Sequence, residues 1–131
     1  MFEQNKTFLS FSVNDQDSAL HFYRDVLKLT VSEMEYGLEV KTHGAGTIFI
    51  YPKETHQAAT FTLLNFVVAD IDAAVKALKV KEVNFESYHT PPLITDENNI
   101  CNMPEMNMKQ AWFRDPAGNI HSLIQQVSIG T

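Results

Sequence analysis

Sulfur cross-links, basic patches and membrane spans are all missing from this chain of 131 residues. Its single cysteine, Cys101, cannot form an intramolecular disulfide, and such sparse usage fits a reducing compartment; the thiol is expected to be packed rather than reactive. Lys and Arg total 10 against 16 Asp and Glu, a formal charge of −6. That balance excludes the clustered cations through which proteins neutralise a phosphate backbone, so no nucleic-acid partner is expected. No apolar run approaches a membrane span, and the opening MFEQNKTFLS lacks the apolar core of a signal peptide. A cytoplasmic protein without membrane contact is the expectation.

What is present is ordinary globular material, 44% hydrophobic and 20% charged. A chain of this size forms one compact domain or two very small ones sharing a core, and removes roughly two-thirds of its unfolded surface from water. It also contains a repeat. Shifted so that Leu9 lies over Leu64, the segment FLSFSVNDQDSA (8–19) matches LLNFVVADIDAA (63–74). The identities are Leu9/Leu64, Phe11/Phe66, Val13/Val68, Asp15/Asp70, Asp17/Asp72 and Ala19/Ala74. They fall on alternate positions, as expected of a strand with one conserved face leading into an acidic helix start. Apolar stripes follow each Asp at helical spacing: Ala19, Phe22, Tyr23, Val26 and Leu27, then Ile71, Ala74, Val75 and Leu78. Asp15 and Asp70 suit the free N–H groups of a first helical turn, and the dipole there accounts for Asp17 and Asp72.

Beyond the first helix, TVSEMEYG, LEVKTHG and TIFIYP read as strands broken by Gly37 and by the turn Gly44-Ala45-Gly46. In the second half VNFESYHT (83–90) reads as a strand, and KQAWFRD and NIHSLIQQ as a hairpin closed by Pro116-Ala117-Gly118, with Asp115 and Gly118 supplying turn chemistry. Residues 91–108 are expected to form a long loop whose Ile100, Met103 and Met106 could close over a ligand or a neighbouring subunit. Each half is then strand, helix, strand, strand, strand: residues 1–52, a polar connector 53–59, and residues 60–131.

Alternation assigns the sides. With Leu9, Phe11 and Val13 under the helix, the open side carries Phe8, Ser10 and Ser12, then Leu63, Asn65 and Val67 in the second copy. On the same basis Gln110, Trp112, Ser122 and Ile124 face the open side, and Ile48 and Ile50 are assigned to it from the strand TIFIYP. This is the composition of a small-molecule pocket, apolar and aromatic with a few neutral hydrogen-bonding groups. Phe8 and Trp112 are expected to stack on a ligand, and Ser10, Asn65, Gln110 and Ser122 to orient it. The surplus of acidic residues mildly favours a cationic one. A core or a dimer interface would use the same residue types.

The paired modules, the segments VNDQDSALHFYRDVLKL and FVVADIDAAVKAL, and above all AWFRDPAGNIHSLIQQ with its DP-x-GN turn at 115–119, resemble the vicinal oxygen chelate superfamily. That group includes glyoxalase I, bleomycin-resistance and fosfomycin-resistance proteins and extradiol dioxygenases. The resemblance implies an α+β fold of two βαβββ modules whose curved mixed sheets surround a cup, and a homodimer. In enzymatic members it also implies a divalent metal held by a His or Gln in a module's first strand and a Glu in its last. At the matching positions this chain has Phe8, Leu63 and Ser122, with Ile48 or Ile50 in the first half. None offers an imidazole, carboxylate or thiolate, so no metal and no other cofactor is expected.

The five histidines do not repair this, since no pair stands at ligand spacing. His121 is out of phase with Ser122, and only His89 is placed to reach a pocket mouth. No catalytic residue emerges either, because none of Ser10, Ser12 or Ser122 has a sequence signature for a partner base. The expectation is a metal-free protein binding an organic small molecule in an aromatic-lined cup. Its rivals are a metal-dependent lyase, isomerase or dioxygenase with relocated ligands, and an interaction module whose cup is filled by its own side chains.

Overall fold

Local rules build the first strand and helix in each half. In the computed structural model, which describes residues 1–126, strand β1 (Leu9–Val13) leads into Asp15, whose carboxylate accepts the Ser18 N–H at 3.0 Å and opens helix α1 (Gln16–Leu20). The repeat performs the same operation again: β5 (Thr62–Val67) leads to Asp70, which accepts the Ala73 N–H at 3.1 Å and opens α2 (Ile71–Val80). The two compact units are Met1–Ala58 and Ala59–Thr131. The expected end of the second module, residues 127–131, lies outside the described residues.

In the first unit α1 continues as a widened, π-helical stretch over His21–Val26, closed by the Leu27 N–H on the Phe22 carbonyl at 2.9 Å. The wider turn accommodates two consecutive buried aromatics, Phe22 and Tyr23, in edge contact at 5.1 Å. Strands β2 (Thr30–Met34), β3 (Gly37–Thr42) and β4 (Gly46–Pro52) complete a four-stranded sheet of order β1-β4-β3-β2. β1 runs parallel to β4, and the other pairs are antiparallel. Gly37 has φ +114°, and a Cβ there would meet the Ile50 carbonyl and the Phe49 ring at 2.7 Å, so only glycine fits. The Gln16 side chain locks this corner, its Oε1 accepting the Gly37 N–H at 2.9 Å and its Nε2 donating to the Met34 carbonyl at 3.2 Å.

The connector is not a free linker. Lys53 N–H donates to the Val13 carbonyl at 2.9 Å, continuing the pairing of β1 with β4, and His56 reaches Ser12. Residues 53–58 therefore belong to the first unit.

The second sheet has the order β5-β10-β9-β8, built from β8 (Cys101–Met103), β9 (Met108–Arg114) and β10 (Ile120–Gln126). Its topology repeats the first, with β5 parallel to β10. The expected strand 83–90 is corrected here. Phe85 alone bridges to Phe113, flanked by Glu86 N–H on the Trp112 carbonyl and Arg114 N–H on the Asn84 carbonyl. The chain then leaves, makes the small hairpin β6 (His89–Thr90) and β7 (Leu93–Ile94), and returns as β8 on the same edge of β9. The β9 edge is thus shared by two segments.

The expected loop 91–108 is correspondingly structured, holding β7, β8 and a short 3-10 turn at Pro104–Met106. Thr95, buried, pins the excursion by accepting the Tyr88 N–H at 2.9 Å. Lys79 on α2 ties it down through the Asn99 side chain at 2.6 Å. Ile100 is buried and Met103 packs on the sheet, whereas Met106 is exposed. Among the described residues no helix is long and apolar enough to cross a membrane.

Candidate functional site

Pairing register decides which side chains share a face. In the second sheet Asn65, Ser122 and Trp112 form one cross-strand row, and Val67, Ile124, Gln110 and Cys101 the next. The opposite face carries Phe66, Leu123, Ala111, Phe113 and His121, under α2. Three residues expected on the open side meet as a hydrogen-bonded triad. Gln110 Nε2 donates to Ser122 Oγ at 3.0 Å, and Ser122 Oγ donates a short bond to Asn65 Oδ1. Gln110 Nε2 also approaches Asn65 Oδ1 at 3.5 Å. These bonds leave Gln110 Oε1 and Asn65 Nδ2 without a partner among the described residues, where no buried polar side-chain atom is unsatisfied. The triad therefore presents one neutral acceptor and one neutral donor to solvent.

Trp112 plays a different part from the one expected. It is only 6% exposed and sits in a cluster with Cys101 and Ile120, packed by Met103 and by the edge of Tyr88 at 5.2 Å. Burial in this cluster pushes the Tyr88 phenol up. The indole is therefore a covered wall behind the triad, because the excursion 87–100 brings Tyr88 over it. Leu63 is half-buried, beside the irregularity where β5 takes four residues, Thr62 to Asn65, against three of β10, Ile120 to Ser122.

In the first sheet the register corrects two assignments. Ile48 pairs with Leu9 and Val40, and Ile50 with Phe11 and Leu38. Both isoleucines are therefore on the helix face, 0% and 1% exposed. The open face instead carries Ser10, Phe49, Glu39 and Ser32 in one row and Ser12 and Tyr51 in the next. Strand β4 carries large apolar side chains on both sides, and Thr47 and Tyr51 alone gave alternation too weak a polar signal to set its phase. The available signal was chemical type: Ile48 and Ile50 match the aliphatic Leu38 and Val40, whereas Thr47, Phe49 and Tyr51 do not.

Sequence reasoning therefore missed a hollow of about 230 Å³ on this face, lined by Phe8, Glu39, Thr47 and Phe49. Phe8, 66% exposed, stands at its rim. Phe49 is held by a stacked contact with Tyr51 at 6.2 Å and 17°. Ser12 lies further along, where its Oγ and His56 Nδ1 are 2.6 Å apart. That contact between residues 12 and 56 has no sequence signature.

The remaining histidines differ in their settings. His21 is exposed beside Asp25 at 3.1 Å, and His43 and His89 are exposed. His121 is fully buried between Phe66 and Phe113, accepts the Leu64 N–H on Nδ1 at 3.3 Å, and is pushed down to about 4 by loss of water. The turn 115–119 is structural. Asp115 Oδ1 accepts from Ala117 and Asn119 N–H at 2.9 and 2.8 Å, Gly118 takes φ +86°, and Asn119 Oδ1 accepts the Ala59 N–H at 3.1 Å.

The residues do not fit a divalent metal. Because Ser10 pairs with Phe49 as Asn65 pairs with Ser122, the first-half counterpart of Ser122 is Phe49. The positions to compare are thus Phe8, Phe49, Leu63 and Ser122, and the one oxygen among them is engaged in the triad. Among the described residues no group of three or more His, Cys, Asp or Glu could hold a metal ion.

Residues 7–121 match the family model described as the Glyoxalase/Bleomycin resistance protein/Dioxygenase superfamily. No curated protein matches the chain. Solved structures do. A genomically encoded fosfomycin resistance protein, FosX, from Listeria monocytogenes superposes with a TM-score of 0.71 at 13% identity, covering 98% of this chain and 94% of that one. Lactoylglutathione lyase from Agrobacterium tumefaciens gives 0.65 at 20% identity, covering 94% and 95%. TnmS3, an antibiotic binding protein from Streptomyces, gives 0.62 at 22% identity, covering 94% and 98%. At these identities the likeness establishes the fold, two four-stranded mixed sheets with few helices, and nothing finer.

Proposed function

Because the chain belongs to the glyoxalase/bleomycin resistance protein/dioxygenase superfamily, we propose that it binds an organic small molecule on the open faces of its sheets, without a divalent metal. The observation that carries this reading is the triad of Asn65, Gln110 and Ser122. Where enzymatic members are expected to place a carboxylate, this chain has a hydroxyl already committed to two amides. Such a group is a poor metal ligand and a good brace, holding Gln110 Oε1 and Asn65 Nδ2 ready for a neutral donor–acceptor pair on a ligand. Val67 and Ile124, on the same face, supply the apolar surround. Among the superposed proteins TnmS3 is described as antibiotic binding, which agrees with a receptor role.

The same reading includes a homodimer. Leu9 and Val67, on the sheet-edge strands β1 and β5, leave large apolar side chains 52% and 66% exposed, surface that a second copy would cover. Light scattering of the purified protein tests that part.

Function is tested by elemental analysis together with a thermal-shift screen of organic compounds. A ligand at a hundred times its dissociation constant should stabilise the fold by about 2.7 kcal/mol. Hits should perturb the amide signals of Asn65 and Gln110 and weaken in Gln110→Ala. Stoichiometric metal whose removal destabilises the protein would instead favour a lyase, isomerase or dioxygenase with relocated ligands.

A further inference from the structure

The hollow on the first sheet has a chemistry more definite than greasy. Glu39 and Phe49 are direct cross-strand partners, so the carboxylate and the ring leave the backbone side by side. Thr47 and Phe8 close the hollow, and Tyr51 stacks on Phe49. Glu39 is half-buried and has no hydrogen-bonded or ionic partner among the described residues. Lys41, two residues along on the same face and paired with Thr47, is exposed and makes no ion pair with Glu39. A carboxylate kept beside two phenyl rings without a cation of its own is an incomplete arrangement.

We infer that this hollow takes an alkylated ammonium group, with the Phe8 and Phe49 faces around its alkyl substituents and the Glu39 carboxylate opposite its charge. The inference rests on the small-molecule reading above and names the ligand's chemical class.

Three considerations select this occupant. A hard metal cation needs six or more oxygen ligands, and the hollow offers one carboxylate and one hydroxyl. A neutral apolar group would fill the space and leave Glu39 partly desolvated with nothing in return. An alkylammonium satisfies both halves of the wall, since rings attract a cation through their negative faces and a carboxylate attracts it directly. At about 230 Å³ the hollow suits a compact headgroup and not a whole drug-sized molecule. The chain's formal charge of −6 favours the same sign of ligand at longer range.

The test is an NMR titration of the full chain with tetramethylammonium chloride and, separately, with tert-butanol, a neutral molecule of similar shape, at matched ionic strength. The cation should produce saturable shifts in the ring signals of Phe8 and Phe49 and in the Thr47 amide. Glu39→Gln should weaken that binding roughly tenfold, and Phe8→Ala several-fold. Both variants alter exposed or half-exposed side chains, and an unchanged amide spectrum elsewhere establishes that they fold. Equal responses to cation and alcohol, unaltered by Glu39→Gln, would overturn the ammonium assignment while leaving a small-molecule site in place. Absence of any saturable shift at these residues would overturn the assignment too, and the broader reading would then stand or fall on hits detected at Asn65 and Gln110.

Discussion

Acid should loosen the second sheet before most carboxylates titrate, because His121 is folded into it as a neutral ring. The side chain is wholly buried against Phe66 and Phe113, and its Nδ1 accepts the Leu64 N–H, a role that requires a bare nitrogen there. Loss of water lowers its pKa from 6.5 to about 4, and the more distant Asp115 opposes only part of that. In the unfolded chain the ring titrates normally. Between the two values the unfolded state therefore holds more protons than the folded one. The contribution is fully present above about pH 6.5, falls as pH drops, and levels off once the folded ring protonates near pH 4. Linkage puts the loss at about 2 kcal/mol between about pH 7.5 and about pH 5. Urea unfolding followed by Trp112 fluorescence at those two pH values measures it, with a proton titration of the His121 ring alongside. The His121→Gln variant, which keeps an acceptor, should lose stability overall but lose this slope. An unchanged urea midpoint across that interval, or a His121 ring that titrates near 6.5 in the folded protein, would refute the reasoning.

Three further outcomes are expected. Gly37→Ala should destabilise the first unit by about 2 kcal/mol or more in thermal unfolding, because a Cβ there meets the Ile50 carbonyl and the backbone is left-handed. Asn119→Ala should cost about 2–3 kcal/mol, since it strips the buried Asp115 of one bond and leaves the Ala59 N–H unanswered; hydrogen exchange at Ala59 should accelerate. Asp70→Ala should cost about 1 kcal/mol through loss of the α2 cap, and Asp70→Asn much less.

The sequence by itself determined the modular grammar of this protein, because its signals are local. Alternating Leu9, Phe11 and Val13, repeated as Leu64, Phe66 and Val68, mark a strand wherever they occur. An Asp that can accept an N–H three residues on starts a helix with no help from the rest of the chain. Likewise the DP-x-GN run closes its turn within itself, the Asp115 side chain accepting the Ala117 and Asn119 N–H groups.

Tertiary structure decided everything that depends on a partner strand. Strand β4 carries large apolar side chains on both sides, and its pairing with β1 and β3 turned Ile48 and Ile50 inward and brought Phe49 out beside Glu39. The edge of β9 is shared by Phe85 and by Cys101–Met103, because the intervening residues pack on themselves and on Trp112. Asn65, Gln110 and Ser122 become one hydrogen-bonded group only because β5, β10 and β9 lie side by side in that register. Periodicity states which residues share a face, but the choice of face, and the company each side chain keeps there, is made by burial against other strands.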